Sequence, residues 1–354
     1  MKRVGHLMEK MLTESNFIKA ERLLGKNKPD NRMARHISAN AERYGKALLD
    51  EFLSGGYQWH TPRKKTITDT YKGKQRNLKI PCLKDQALQL AWLNIATPII
   101  EKRNYYYNCG SVPRAGQTRC VKALQKWLRD PRKKYGATTD IRHFYETCPH
   151  EAIRKGLYQI FKDKAFVEFG MSFVASMSDN DIGIAIGYPS SHWLANVALM
   201  HLDHKLKQLF PRIGYARYMD DMALISSNKR ELRKAVNLIR AEVATLGMRL
   251  KKWALFAIKG RGLSFLSYRF FNGYTTMIKR LMVRIARRMR KAAKNMSVHT
   301  ACGIMSYFGI LKHCDSYNFR KTFVYPYVDK RTCTRIISDH ARRQHEKSYS
   351  FGTC

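Results

Sequence analysis

Asp220 and Asp221 stand side by side between the apolar runs Tyr215-Ala216 and Met222-Ala223-Leu224-Ile225, an odd place for uncompensated negative charge. One chemistry that asks for such a pair is the holding of divalent metal ions beside a phosphate chain, because Mg²⁺ takes a few carboxylate oxygens and keeps sites for phosphate. The plainer reading is a tight Asp-Asp turn in an ordinary hairpin. Strand alternation puts Tyr218 and Asp220 on one face and Met219 and Asp221 on the other, so a shared site requires the turn to re-aim Asp221. A third acid, Asp140, ends the β-prone run Ala137-Thr138-Thr139. It either caps local backbone or reaches the same site through the fold.

Other stretches carry cations or turn residues suited to phosphate. Lys74-Gln75-Arg76-Asn77-Leu78-Lys79-Ile80 alternates polar and apolar before Pro81, which predicts a basic edge strand with Lys74 and Arg76 on one face. Such a strand can lay cations against a triphosphate or simply guard a sheet edge with charge. Asn108 to Gly116 is a Gly/Pro loop with one cation, Arg114, of a kind that lets backbone approach a phosphate. In Ile186-Gly187-Tyr188-Pro189-Ser190-Ser191-His192, Gly187 and Pro189 set a turn and either serine can cap the helix that follows.

These residues need elements to place them. Residues 1 to about 55 read as helical, as do the stretch carrying Leu88, Ala91, Trp92, Ile95 and Ile99, the one opened by Pro149, and the one carrying Leu194, Val197, Leu202 and Leu206. Asn228 and Glu231 predict a capping box for a helix ending at Gly247. From residue 137 the order is strand, helix, helix, hairpin, helix, strands, which fits an antiparallel sheet with helices on one face. From Met277 an apolar stripe (Ile278, Leu281, Ile285, Met289) runs beside Arg284, Arg287, Arg288 and Lys291, an amphipathic helix whose cationic surface suits a nucleic-acid backbone.

Composition bounds the partners. In 354 residues, 66 Lys and Arg face 27 acids, a formal charge of +39, which repels itself unless a polyanion is bound. No apolar run reaches the roughly 18 residues of a membrane span, so a cytoplasmic protein with no membrane partner is expected. The eight cysteines form no CxxC pair, and reduced thiols are the default; Cys333, His340, His345 and Cys354 fit no standard zinc pattern.

Taken together, residues from about 70 to 325 resemble a reverse transcriptase. Asp140 to Tyr145 is similar to the first catalytic motif, Ile186 to His192 to the loop behind the incoming nucleotide, Tyr218 to Asp221 to the YxDD turn, and Phe265-Leu266-Ser267-Tyr268 to the primer grip. The resemblance is nearest to the enzymes of diversity-generating retroelements, where an aliphatic residue such as Ile186 replaces the Gln of retroviral, retron and most intron enzymes. His192 departs from that family's Gln, and Ser267 stands where relatives commonly carry Gly.

The resemblance implies an α+β right hand: N-terminal helices and fingers over 1–135, an antiparallel-sheet palm over 136–275 with an interleaved fingers segment at about 150–190, and a basic helical thumb and tail over 276–354. It implies an RNA-directed DNA polymerase using two Mg²⁺ ions, or Mn²⁺ in their place, held by Asp140, Asp220 and Asp221 with the Ile141 carbonyl. Lys74, Arg76, Tyr145 (the steric gate), Ile186, Gly187 and Lys251 would meet the dNTP, with Lys251 or Lys252 delivering a proton to the leaving group. Arg114, Ser191, Tyr218, Phe265, Leu266, Arg284, Arg287, Arg288 and Lys291 would meet nucleic acid. The partners implied are an RNA template, a DNA or RNA primer, a structured non-coding RNA and an accessory protein. Antiviral-defence, retron and group II intron enzymes are the rival settings, and an RNA-binding scaffold is the non-enzymatic one.

Overall fold

Trp92 is fully buried, stacked on Phe166 and edge-on to Phe161 and Phe173, with its indole N–H donating to the Phe166 carbonyl at 3.0 Å. An aromatic core of this kind buries large apolar area while giving its one polar atom a partner. The computed structural model describes residues 2–68, 73, 75–113, 115–178 and 180–350, with the side chains of 344–350 left aside.

The chain begins with helices α1 (Leu7–Met11), α2 (Glu14–Asn27), α3 (Arg32–Ala39) and α4 (Ala41–Leu53), then strands β1 (Arg63–Thr68) and β2 (Gln75–Ile80). Next come α5 (Leu83–Arg103), α6 (Gly116–Leu128), β3 (Tyr135–Thr139), α7 (Phe144–Thr147), α8 (His150–Ile160), α9 (Lys164–Ala175) and α10 (Ser191–Leu209). The hairpin β4 (Gly214–Tyr218) and β5 (Asp221–Ser226) leads into α11 (Lys229–Thr245), β6 (Ala254–Ala257), α12 (Ile258–Arg261), β7 (Leu263–Phe265), β8 (Tyr268–Phe270) and β9 (Thr275–Met277). The helices α13 (Lys279–Lys294), α14 (Val298–Leu311), α15 (Tyr317–Phe323) and α16 (Lys330–Ser350) follow. Among the described residues, no helix is long and apolar enough to cross a membrane.

Three sheets form: β1-β2, the four-stranded β4-β5-β3-β6, and β7-β8-β9. The basic strand expected before Pro81 is β2, paired antiparallel with β1 from Arg63↔Ile80 to Thr68↔Gln75. Two compact units divide the chain: residues 1–116, 139–222 and 233–253 make one, and 117–138, 223–232 and 254–354 the other. In the first, α2 packs on α3, α4 and α5, and α8 on α10. In the second, α14 packs on α16, and the Tyr268 hydroxyl donates to the Ile310 carbonyl at 3.1 Å.

Two capping expectations fail for definite reasons. Neither Ser190 nor Ser191 caps α10: the Ser190 hydroxyl donates to Gln89 Oε1 at 2.9 Å and that of Ser191 to the Ala185 carbonyl at 2.5 Å. At α11 only half of the capping box forms. Asn228 Oδ1 accepts the Arg230 and Glu231 N–H groups, whereas the Glu231 carboxylate takes the Ser226 hydroxyl, which itself accepts the Asn228 N–H. The helix end is still satisfied, with one extra side chain in the relay.

Candidate active site

The catalytic-type turn is tighter than its sequence suggests. Its two turn residues are Met219 and Asp220, and Asp221 already begins β5. The backbone is therefore re-aimed at Asp220, leaving Asp221 exposed and Asp220 half-buried. Met219 makes this possible by adopting φ 58°, a left-handed conformation that costs a side-chain-bearing residue about 1–2 kcal/mol.

Buried charge holds that strained residue in place. Arg217, wholly buried, donates from Nη1 to the Met219 carbonyl at 2.8 Å and to Asn196 Oδ1 at 3.2 Å. Its Nε and Nη2 grip both oxygens of the equally buried Asp203 on α10 at 2.5 to 3.0 Å, and the Tyr215 hydroxyl donates to the same carboxylate. The Asn108–Gly110 segment lies alongside: Arg217 N–H donates to the Tyr107 carbonyl, and Cys109 N–H to the Arg217 carbonyl. A Cβ on Gly110 would strike the Met219 backbone nitrogen. This part of the Gly/Pro loop thus braces the turn, while Arg114, its cation, lies outside the described residues, as does Lys74.

Asp140 reaches the turn from the end of β3. Burial, then the neighbouring charges of Asp140 and Asp221, push the Asp220 carboxyl up to about 6, with a hydrogen bond to Asp140 acting in the same direction. As carboxylates neither can donate, and Asp140 Oδ1 is left buried with no hydrogen-bond partner. The other oxygen, Oδ2, takes the Lys251 ammonium at 2.5 Å. Burial opposes the lysine's charge, yet the hydrogen bond and charge of Asp140, backed by Asp220 and Asp221, hold its pKa above the usual value. A cation already sits where the acids demand one. An orphaned oxygen, a carboxyl titrating high and an ammonium spanning the cluster are what a divalent ion would relieve. Asp221, exposed at the start of β5, adds its charge to the same cluster.

Backbone pairing fixes the far side. Ile141 bridges Leu250 antiparallel, with Arg142 N–H donating to the Arg249 carbonyl and Lys251 N–H to the Asp140 carbonyl. In such a pair the flanking residues make the bonds, so the Ile141 carbonyl is not consumed by it.

The residues expected around a nucleotide are partly assembled. Tyr145 on α7 is half-buried and lies within electrostatic reach of Asp220, Arg76 and Tyr218. Its hydroxyl is 3.0 Å from His192 Nδ1, and burial pushes the His192 pKa down. Ile186 accepts the Lys79 N–H at 2.9 Å, joining its loop to β2, and Gly187 is required there: φ is 121° and a Cβ would strike the Lys79 carbonyl.

Two residues expected at nucleic acid have buried side chains. Ser191 is buried with its hydroxyl spent on Ala185, so it supports the loop from within. Phe265 is buried in the second unit's core. Next to it, Leu266 and Ser267 form a turn with φ 50° and 73°, part-exposed, and the Gln117 amide donates to the Leu266 carbonyl at 2.5 Å. On α13, Leu281, Ile285 and Met289 are buried, Arg287 and Lys291 exposed, and Arg284 and Arg288 part-exposed.

Arg217, Asp203 and Asn196 were not foreseen as site residues, and His192 was read only as part of its loop. The available signal was a charge within each of two apolar runs, Arg217 beside Tyr215 and Asp203 among Leu199, Leu202 and Leu206.

Residues 62–270 match the family model for the reverse transcriptase (RNA-dependent DNA polymerase). The chain belongs to the reverse transcriptase family. Its mixed α+β architecture is that of the family. Protein YkfC of Escherichia coli (strain K12) is 23% identical over 230 residues, which are 53% of this chain and 60% of YkfC. Among solved structures, apo telomerase from Candida tropicalis is similar at TM-score 0.49 and 12% identity, over 75% of this chain and 55% of that one. Telomerase from Candida albicans in complex with a fragment of telomeric RNA is similar at TM-score 0.46 and 8% identity, again over 75% and 55%.

Proposed function

We propose that this reverse transcriptase copies RNA into DNA by two-metal nucleotidyl transfer at Asp140 and Asp220. The observation that carries the reading is the Asp140–Asp220 pair itself, a raised carboxyl beside a buried, unpartnered carboxylate oxygen. Asp140 and Asp220 would hold the Mg²⁺ or Mn²⁺ ions, with Asp221 adding charge and the Ile141 carbonyl a further ligand. When bound, the ions would acidify the primer 3′ hydroxyl and neutralise the leaving pyrophosphate. Lys251, which holds Asp140 Oδ2, would be displaced from it, and its ammonium would then be placed to meet the triphosphate or protonate the leaving group.

Arg76 would contact the triphosphate, and Tyr145 would pack under the sugar and reject a 2′ hydroxyl, while Ile186 and Gly187 back the base. Tyr218, Leu266 and the α13 cations Arg284, Arg287, Arg288 and Lys291 would meet the template and primer. Residues 1–135 would act as fingers, 136–275 as palm and 276–354 as thumb. Extension of a DNA primer on an RNA template should require Mg²⁺ or Mn²⁺ and be abolished by Asp220→Asn with template-primer binding retained. Full activity of that variant would refute the site.

Ile186, in the position where most relatives carry Gln, supports a diversity-generating retroelement over a defence, retron or intron setting. That reading brings a structured RNA and an accessory protein as partners, and it predicts miscopying concentrated at template adenines. Ordinary fidelity at adenines would move the enzyme to one of the other settings, and absence of any extension with all three acids intact would favour the RNA-binding scaffold.

A further inference from the structure

A second cluster of metal-ligating side chains lies away from the carboxylates of the turn. The Asp85 carboxylate is almost wholly buried in the first turn of α5. His60 Nδ1 lies 2.9 Å from its Oδ1, and Cys82 stands at the helix N-cap. One ligand atom from each of His60, Cys82 and Asp85 falls within 4.8 Å of the other two, the trio of this kind found among the described residues.

Three features make this resemble a binding site more than a chance ion pair. The Cys82-x-x-Asp85 spacing places an N-cap and an N3 side chain together over the helix start, the two-residue separation that suits chelation by zinc ligands. Asp85 N–H points at Cys82 Sγ at 3.4 Å, a donor that favours a thiolate, although burial and the Asp85 charge together hold the thiol above its usual pKa, a penalty that a bound cation would relieve. The carboxylate has outer partners already in place: the Tyr57 hydroxyl donates to Oδ1 at 2.6 Å and the His60 N–H to Oδ2 at 3.3 Å, as ligating carboxylates require. Bond lengths of about 2.3 Å to sulfur and 2.0–2.2 Å to nitrogen or oxygen are compatible with three ligand atoms that already lie within 4.8 Å of one another.

We propose that His60, Cys82 and Asp85 form a Zn²⁺ site, with nitrogen, sulfur and oxygen donors and water in the fourth position. Binding replaces the proton between His60 and Asp85 and releases the thiol proton of Cys82, so the complex carries a thiolate, a neutral imidazole and a carboxylate around the ion. The placement gives the ion a structural job. His60 precedes β1 and Cys82 follows β2, so the metal clamps both legs of the hairpin just below its Arg63↔Ile80 pair.

The test uses the full chain stripped of metal, then titrated with Co²⁺ and Zn²⁺. The expected result is one equivalent of Co²⁺ giving a thiolate-to-cobalt charge-transfer band that Zn²⁺ abolishes. Zn²⁺ should also slow alkylation of Cys82 at least about tenfold, mapped by mass spectrometry with the other cysteines as internal controls. Cys82→Thr, which keeps a hydroxyl at the N-cap, and His60→Gln should each lose the band and the Zn²⁺-dependent rise in melting temperature. A band that persists in Cys82→Thr, or Cys82 alkylation unchanged by Zn²⁺, overturns the proposal. Because the readout is a thiolate, metal captured by Asp140 and Asp220 cannot imitate it.

Discussion

Arg217 and Asp203 form an ion pair with no solvent exposure on either side, and the same guanidinium holds the carbonyl of Met219, the strained residue before Asp220. Removing one member leaves the other buried and uncompensated, which typically costs 3–5 kcal/mol. Arg217→Met should therefore lower the unfolding free energy, read from a denaturant titration, by about 3–5 kcal/mol. Where folding survives, kcat should fall with template-primer affinity nearly kept, since the turn loses its anchor and not its contacts. Equal losses in both would place Arg217 in substrate binding.

The raised Asp220 carboxyl makes a signed prediction. Between the ordinary carboxylate range and about 6, the folded, metal-free protein holds a proton that the unfolded chain has released. That stabilisation is complete at low pH and lost as pH rises through about 6. Asp220→Asn removes the neutral-pH penalty, so with chelator present the variant should melt higher than the parent at neutral pH, the gap closing as pH falls below about 6. A gap independent of pH would show that the carboxyl is not strained. The gain in stability should accompany loss of polymerisation, the usual trade at a catalytic cluster.

Lys251 Nζ holds Asp140 Oδ2 at 2.5 Å, the oxygen that a metal ion at this site would need. Lys251→Met should lower the Mg²⁺ concentration for half-maximal extension severalfold while reducing kcat, because one ammonium would serve as both competitor and proton donor. It should also destabilise the chelated protein at neutral pH, with Mg²⁺ restoring the melting temperature. An unchanged Mg²⁺ requirement would count against the exchange.

Tyr145 is steadied by His192. His192→Leu should raise ribonucleotide incorporation relative to deoxynucleotide by loosening the gate, and His192→Gln, which can still bond the hydroxyl, should recover much of the discrimination. Tyr145→Val should lose discrimination whatever occupies 192. If His192→Leu left the ratio untouched, the hydrogen bond would be incidental.

The hairpin, the strand ending at Asp140 and the helices flanking them were legible because each rests on local period and punctuation: apolar runs, Gly247 after α11, Pro149 before α8. The bracing was not. Whether Ser190 caps a helix or bonds Gln89 depends on what stands opposite in space, and Asn228 and Glu231 spell a capping box whether or not Ser226 intervenes. That Lys251 is held by Asp140 was not legible either, because the sequence does not say which acid a lysine meets across 111 residues. Asp203 carries no local signal of its partner, and its meaning appears only once Arg217 lies against it.

Neither compact unit is a single stretch of polypeptide: the second draws its pieces from 117–138, 223–232 and 254–354. Its earliest segments leave the ribosome long before the partners that complete them, so they must wait through some two hundred residues of synthesis with apolar surface uncovered. The growing chain should be aggregation-prone until its final third emerges. Cutting near residue 254 would strand β3 without β6 and leave a raw sheet margin for other molecules to find.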